Sequence, residues 1–520
     1  MEHTNDIKIF YNGTIYSKFI PLTTFESIVT NGDKIEFCGK SEEAIALYGK
    51  KAVTVVNLNN RIVIPGFVDS HIHLDDLGGS LNFLDLRGTD SIKEVKERLR
   101  DYHLKNPNVR VIIGMGWDQE SFSEGRWPNR WDVDEIETGV PVFLERFCEH
   151  AAVINTKMLE YLNSNAFPDP IFPMSPDGKM SGVVKEEAAW FFKEKALEIA
   201  GNLERNLVSA SNYLLSLGIT SVGFVSCGCE SVDFLSSECS KLGLRVFAYL
   251  KDECIDRLED LRNKVGTNPY FQINGIKLFV DGALGAGTAA LREPYADDST
   301  NEGILYLNSE KLISTFERLK GKRVQFSIHA IGDKGIDAVI DAISKTEPNF
   351  LLEPRIEHCT VLRANHVSRL KELGIGVSVQ PAFVIDDWWA VRRLGNERSK
   401  MSYPLATLFA SHVKLGISTD SPVSSADPWL SVDAAVNRGE REKREILKYS
   451  ANERVDLSTA LYLYTAGSAS LLMNDKIGSL EVGNFADFAI LSNDPFGTQN
   501  LRNVKVIETI IGGNTKFKAT

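Results

Sequence analysis

The densest chemical signal in the chain is Asp69-Ser70-His71-Ile72-His73. Side chains alternate faces along a strand, so His71 and His73 project the same way and their imidazoles can meet at one metal ion. Histidines at this spacing also serve as ordinary hydrogen-bonding groups in a core or a turn. Four further residues tip the balance, because each closes or nearly closes an apolar run. Lys277 lies in Gly275-Ile276-Lys277-Leu278-Phe279, and His329 ends Phe326-Ser327-Ile328-His329. His358 ends Ile356-Glu357-His358, and Asp420 ends Ile417-Ser418-Thr419-Asp420. Histidine nitrogens and a carboxylate oxygen are donors that zinc accepts. Lys277 is the odd member. One reading is a lysine snorkelling at a strand edge. The other is a neutral amine that has reacted with carbon dioxide, giving a carbamate whose two oxygens can bridge two metals.

Such residues can act together only if the fold gathers the ends of their strands. Strand patterns occur at 66–73, 219–225, 244–250, 275–280, 324–329, 355–359, 374–380 and 414–420. Helical patterns separate them, such as 334–345, where Ile336, Val339, Ile340 and Ile343 form one apolar stripe. Short β-branched runs alternating with helices predict βα units on a parallel sheet, and eight of them predict a (β/α)8 barrel. The candidate ligands then sit on strands 1, 4, 5, 6 and 8, whose C-terminal ends share one face of such a barrel.

Two regions lie outside this pattern. Residues 1–60 alternate like short strands, as in Ile7-Lys8-Ile9-Phe10 and Lys34-Ile35-Glu36-Phe37, and the tail from about 475 to 520 has the same texture. The two ends are therefore expected to form one small composite β-sandwich, leaving 61–474 as the barrel. Between His73 and Ile219 the gap is too long for a single βα connection. It predicts an insertion over about 80–200, with a helix near 91–104, strands near 109–113 and 141–145, and a proline-rich stretch, Phe167–Pro176. Insertions after a barrel strand emerge on the catalytic face, so a lid is the expected role.

Composition narrows the function further. A formal net charge of −12, with no basic stripe, argues against a nucleic-acid partner. No apolar run approaches the roughly 20 residues of a membrane span. The N-terminus Met1-Glu2-His3-Thr4-Asn5-Asp6 lacks the basic and apolar regions of a secretory leader. The seven cysteines include no CxxC pair, which predicts reduced thiols in a cytoplasmic protein.

With these residues in place, the chain resembles the metal-dependent amidohydrolase superfamily over nearly its whole length. Pro65-Gly66-Phe67-Val68-Asp69-Ser70-His71-Ile72-His73 is similar to the superfamily's first-strand signature. Ile477-Gly478-Ser479-Leu480-Glu481-Val482-Gly483-Asn484-Phe485-Ala486-Asp487-Phe488 is similar to the segment that leads back into its β-sandwich. The branch resembled most contains N-substituted formamide deformylases (amidohydrolase family 3). The matching segments are Gly116-Trp117-Asp118, Gly125-Arg126-Trp127-Pro128, His150-Ala151-Ala152-Val153-Ile154-Asn155 and Lys277-Leu278-Phe279-Val280-Asp281-Gly282. To these add His329-Ala330-Ile331-Gly332-Asp333-Lys334, Arg355-Ile356-Glu357-His358-Cys359, Ser378-Val379-Gln380-Pro381 and Asp420-Ser421-Pro422.

The resemblance implies two divalent metal ions, of the zinc type. His71, His73 and Asp420 would hold the more buried ion, and His329 and His358 the more exposed one. A carbon dioxide-derived carbamate on Lys277 would bridge them, and Asp420 would also be the catalytic base. It implies substrate contacts at His150, Trp117, Asp118, Glu186 and Asp281. Taken alone, Trp117 reads more readily as a core residue than as part of a pocket. One departure stands out: the loop Asp281-Gly282-Ala283-Leu284-Gly285-Ala286-Gly287-Thr288 has glycine at 287 where the family usually carries arginine. The expected activity is metal-dependent hydrolysis of a C–N bond, amide or formamide-type and not peptide, in a small organic substrate.

Two alternatives are weighed. A mononuclear deaminase of the superfamily would carry a glutamate three residues after the strand-5 histidine, and Gly332 stands there instead. A non-catalytic regulator retaining the fold would be expected to have lost a ligand, and all six are present. The partners expected are a small molecule, no nucleic acid and no membrane, with a homo-oligomer left open.

Overall fold

The computed structural model describes residues 6–147, 151–161, 180–185, 187–201, 203–346 and 352–519. Eight parallel strands form one sheet in chain order: β1 (Phe67–Ile72), β2 (Ile219–Cys227), β3 (Arg245–Leu250), β4 (Phe271–Phe279), β5 (Gln325–Ala330), β6 (Arg355–His358), β7 (Gly376–Val379) and β8 (Leu415–Ile417). Nearly all their residues are buried, as expected when side chains fill the inside and helices cover the outside. The expected barrel is present. Its first and last strands meet just beyond β8, where Asp420 N donates to His71 O (2.9 Å) and His73 N to Ser421 O (3.0 Å).

The two chain ends supply two further sheets. One contains Ile7–Tyr11, Ser27–Asn31, Lys34–Gly39 and Thr54–Asn57. The other interleaves Thr14–Phe19, Leu22–Phe25 and Ile62–Pro65 with Phe488–Leu491, Val506–Ile511 and Asn514–Lys518 from the tail. Phe10, Ile28 and Ile35 of the first sheet share a core with Ile15, Val63, Phe488 and Ile510 of the second. A buried ion pair ties this region to the barrel. Arg245, at the start of β3, bonds both oxygens of Asp487 (2.5 and 3.0 Å) and the carbonyl of Pro269 (2.8 Å), while Gly512 N donates to Asp487 (2.8 Å).

The insertion is more than a loop. Residues 75–207 form a compact unit by themselves. Its five-stranded sheet runs in the order Val183–Lys185, Ala151–Ile154, Val142–Arg146, Ile112–Trp117, Leu84–Asp85. Alternation sends Ile112, Leu144 and Val153 to one face, where they pack on Val95 and Leu99 of helix α1 (Ile92–Lys105). Ile113, Phe143, Ala152 and Ile154 go to the other face, against Phe192 and Ala196 of helix α2 (Glu187–Ala200). A sheet covered on both faces is a stable layer arrangement in its own right. The sequence pattern showed two strands here because the others are too short to signal. The stretch Phe167–Pro176, read as a lid, lies outside the described residues.

The expectation of uniformly reduced cysteines is corrected. Cys229 and Cys254 form a disulfide with their Cα atoms 6.1 Å apart. They follow β2 and β3, and neighbouring parallel strands deliver residues 25 apart in sequence to adjacent connections. Cys38, Cys239 and Cys359 are free thiols. No described helix is long and apolar enough to cross a membrane.

Removing one partner of a buried ion pair strands the other charge, which costs about 3–5 kcal/mol. Asp487→Ala is therefore expected to lower the unfolding free energy by about that amount while leaving metal content unchanged. Denaturant titration alongside metal analysis checks both.

Candidate metal centre

The hydrogen bonds that join β1 to the segment after β8 also bring His71 and His73 against Asp420. Asp69 clasps the same junction: it accepts from Thr419 Oγ1 (2.6 Å), Thr419 N (3.2 Å), His71 N (3.2 Å) and Tyr464 Oη (3.2 Å). Asp420 adopts a left-handed backbone (φ 58°), as does His358 at the end of β6 (φ 72°). A non-glycine residue in that region costs about 1–3 kcal/mol and concentrates at functional sites. Here it turns both side chains off the strand direction at the barrel's C-terminal end.

One carboxylate organises the centre from below. Glu357 is fully buried. Its Oε1 accepts from Ser327 Oγ (2.6 Å) and lies 2.7 Å from Arg355 Nε, while its Oε2 lies 2.6 Å from His71 Nδ1. Arg355, also fully buried, donates to Ser70 O (2.8 Å) and sits over the Tyr249 ring, 4.3 Å from its centroid. Burial alone would raise the Glu357 carboxyl, but the Arg355 charge and the hydrogen bond from His71 outweigh it and hold the group well below the usual carboxylate range. An ionised carboxylate only accepts, so Nδ1 of His71 carries the donated proton. In the neutral ring Nε2 then has its lone pair free.

That nitrogen is 3.1 Å from Asp420 Oδ1, and His73 Nε2 is 3.3 Å from the same oxygen. Candidate ligand atoms of His71, His73 and Asp420 all lie within 4.8 Å of one another. Asp420 Oδ1 is buried and makes no hydrogen bond. A lone pair and a carboxylate oxygen converging without a hydrogen bond between them fit a cation.

Lys277 enters from β4, with Nζ 3.4 Å from His71 Nε2. It is 2% exposed, and burial lowers its amine to about 8 against the opposing pull of Glu357 and Asp420. His358 and His329 complete a run of rings, with centroids 5.0 Å apart for His71–His358 and 4.5 Å for His329–His358. Burial, reinforced by neighbouring cationic groups, lowers His358 to about 3 and takes His329 well below its ordinary value. Both rings are thus neutral, the form that binds metal. Their ligand atoms lie outside the compact His71–His73–Asp420 group. His358 Nδ1 faces Gln380 Oε1 (2.9 Å), and His329 Nε2 faces Gly282 O (3.1 Å), leaving the second nitrogen of each ring as the available ligand atom.

The expected substrate contacts fare differently. Asp281 is 1% exposed and accepts from the backbone N–H groups of Ala290, Ile331 and Gly332 (3.0, 3.0 and 2.8 Å). Through these bonds it fastens the ends of β4 and β5 together. Trp117 is fully buried in the inserted unit, stacked among Phe122 and Trp127, with Nε1 donating to Leu144 O (2.8 Å). It packs as a core residue. Asp118 pairs with Arg146 (2.7 Å) and caps the short turn that follows it. His150 and Glu186 lie outside the described residues.

Glycine at 287 does not leave its loop without a cation. Gly287 has φ 71°, and a Cβ there would stand 3.4 Å from Arg393 Nη1. Arg393 belongs to the helix Ala390–Ser399 and donates through Nη2 to Gly285 O (2.8 Å). The cation comes from a different element.

Sequence reasoning passed over Glu357, Arg355 and Gln380. A signal existed for the first two. Opposite charges two residues apart in an otherwise apolar strand share a face and have to be paired to be buried.

Residues 54–517 match the profile of the amidohydrolase family. A crystal structure of a metal-dependent hydrolase from Pyrococcus horikoshii is 38% identical, with a TM-score of 0.84 over 96% of this chain and 99% of that one. YtcJ of Bacillus subtilis is 28% identical over 98% of this chain and 99% of its own. The N-substituted formamide deformylase of Arthrobacter pascens is 24% identical over 95% of each chain.

Partners that orient a ligating histidine typically change metal affinity by about 10–100-fold when mutated. Glu357→Gln can accept at Nδ1 of His71 only weakly and leaves Arg355 unpaired. A loss in that range is expected in competition titrations against a chelator.

Proposed function

This chain belongs to the amidohydrolase family, and from that premise we propose that it is a metal-dependent hydrolase cleaving an amide or formamide-type C–N bond, other than a peptide bond, in a small organic molecule. The observation that carries the reading is the fixed tautomer of His71. Glu357 accepts a hydrogen bond from one ring nitrogen, and the other lies 3.1 Å from the buried Asp420 Oδ1. A lone pair and a carboxylate oxygen set together in that way fit a cation.

His71, His73 and Asp420 would hold one divalent ion of the zinc type, and His329 and His358 a second. The reading places a carbamate on Lys277 between them. Bound divalent cations would supply a lowered pKa for water and polarisation of the scissile carbonyl. The chain's own residues do the rest. Asp420, ionised and at the mouth of β8, accepts a proton from the attacking water and returns it to the departing nitrogen. Glu357 and Arg355 keep His71 from rotating. Gln380 does the same for His358, and is itself held by a hydrogen bond from its Nε2 to Ser418 Oγ (2.8 Å).

Lys277 supports the carbamate through geometry. Its amine is buried beside an imidazole nitrogen, and no carboxylate forms an ion pair with it among the described residues. Beside divalent cations an ammonium there is repelled, whereas its carbamate is an anionic bridge.

Asp420→Asn is expected to lower kcat by at least about 100-fold, the lower end for a positioned acid–base group. Turnover of an N-formyl or N-acyl substrate found by screening, read with metal content, checks it, and near-wild-type kcat overturns the assignment. Protein reconstituted with zinc in bicarbonate is expected to hold more metal and more activity than protein reconstituted without carbon dioxide. Lys277→Ala should lose that dependence, and Lys277→Arg should not restore it, because a guanidinium stays charged. Equal metal content with and without carbon dioxide would remove the bridge from the reading.

A further inference from the structure

The inserted unit holds a cleft of its own, of about 530 Å³, within the size range of small-molecule sites. Its walls are the end of α1, the turn into the strand Ile112–Trp117, and the segment that follows α2. Three cations line it: Lys105, Arg110 and Arg205. Among the described residues, no aspartate or glutamate does.

This is unusual for the unit it belongs to. Elsewhere in it, Lys96 pairs with Glu135 (2.7 Å), Arg98 with Glu94 (2.6 Å), Arg126 with Asp132 (2.7 Å) and Lys195 with Glu198 (2.6 Å). Among the described residues, none of the three cleft cations has a carboxylate partner. The whole chain carries 70 acidic residues against 58 basic ones, so acidic partners are not scarce. Cations gathered in a concave site without counter-charges repel one another and raise the local potential, which an anionic ligand relieves. The remaining lining suits an organic body as well as a charge. Phe83 offers a ring, and Tyr102 is fixed by donating its hydroxyl to Asn82 O (2.8 Å).

We propose that this cleft binds a small organic polyanion, carrying a phosphate or several carboxylates, between Lys105, Arg110 and Arg205. The site is separate from the metal centre in the residues it uses and does not depend on the hydrolase reading. Arginine forks suit planar or tetrahedral oxyanions, and Lys105 adds a point charge at the exposed end of α1.

The test is calorimetric titration of the metal-loaded full chain with inorganic phosphate and, separately, with tricarballylate, at constant salt. Saturable binding of at least one probe is expected, with a Kd at or below about 1 mM. Arg110→Gln/Arg205→Gln should weaken it about tenfold or more, and Lys105→Gln less in the same direction. His73→Ala, which alters the metal centre, and Lys93→Gln, which removes a surface cation of the same unit, should leave it unchanged. Phosphate binding alone assigns a phosphorylated ligand, and tricarballylate binding alone assigns a polycarboxylate. No saturable binding of either probe overturns the proposal. So does loss of binding on His73→Ala but not in the double arginine variant, or equal weakening by Lys93→Gln.

Discussion

The metal centre depends on keeping the Glu357 carboxylate ionised where no water reaches it. A buried charge without partners is prohibitively costly, so the group would otherwise take up a proton. Arg355, Ser327 and His71 together prevent this. The consequence travels outward by hydrogen-bond logic alone. An ionised Glu357 fixes the proton of His71 on Nδ1, and the fixed proton turns a lone pair toward Asp420. Arg355 in turn is anchored by the Ser70 carbonyl on β1 and the face of Tyr249 on β3. One charge thus links three strands to one ligand.

Closure of the barrel serves the same end. A parallel sheet could have stopped at β8 without meeting β1. Instead the Asp69 clasp and the bonds from Asp420 and His73 bind the first strand to the last, and those residues are, or adjoin, the proposed ligands. Stability and site geometry therefore rest on the same contacts. The left-handed backbone at His358 and Asp420 is the local cost of aiming side chains across the barrel end, and the surrounding hydrogen bonds hold it in place.

The inserted unit follows a different logic. It covers both faces of its sheet with its own helices and pairs most of its surface charges internally. A compact unit can carry chemistry of its own, and Lys105, Arg110 and Arg205 line one cleft within it.

Much of this protein was legible in the sequence. Eight β-branched runs separated by amphipathic helices specified the barrel, because periodicity is local. His71, His73, Lys277, His329, His358 and Asp420 stood out because polar residues at the ends of apolar strands have few structural reasons to be there. The disulfide of Cys229 and Cys254 was invisible, since pairing is a property of neighbouring strands and not of spacing along the chain. The burial of Trp117 and Asp281 cannot be seen in a residue type, and the shortest strands of the insertion gave no signal. Tertiary structure alone decided which nitrogen of His71 carries its proton. That follows from Glu357, 286 residues away in sequence and 2.6 Å away in space, and no local pattern encodes a hydrogen bond of that reach.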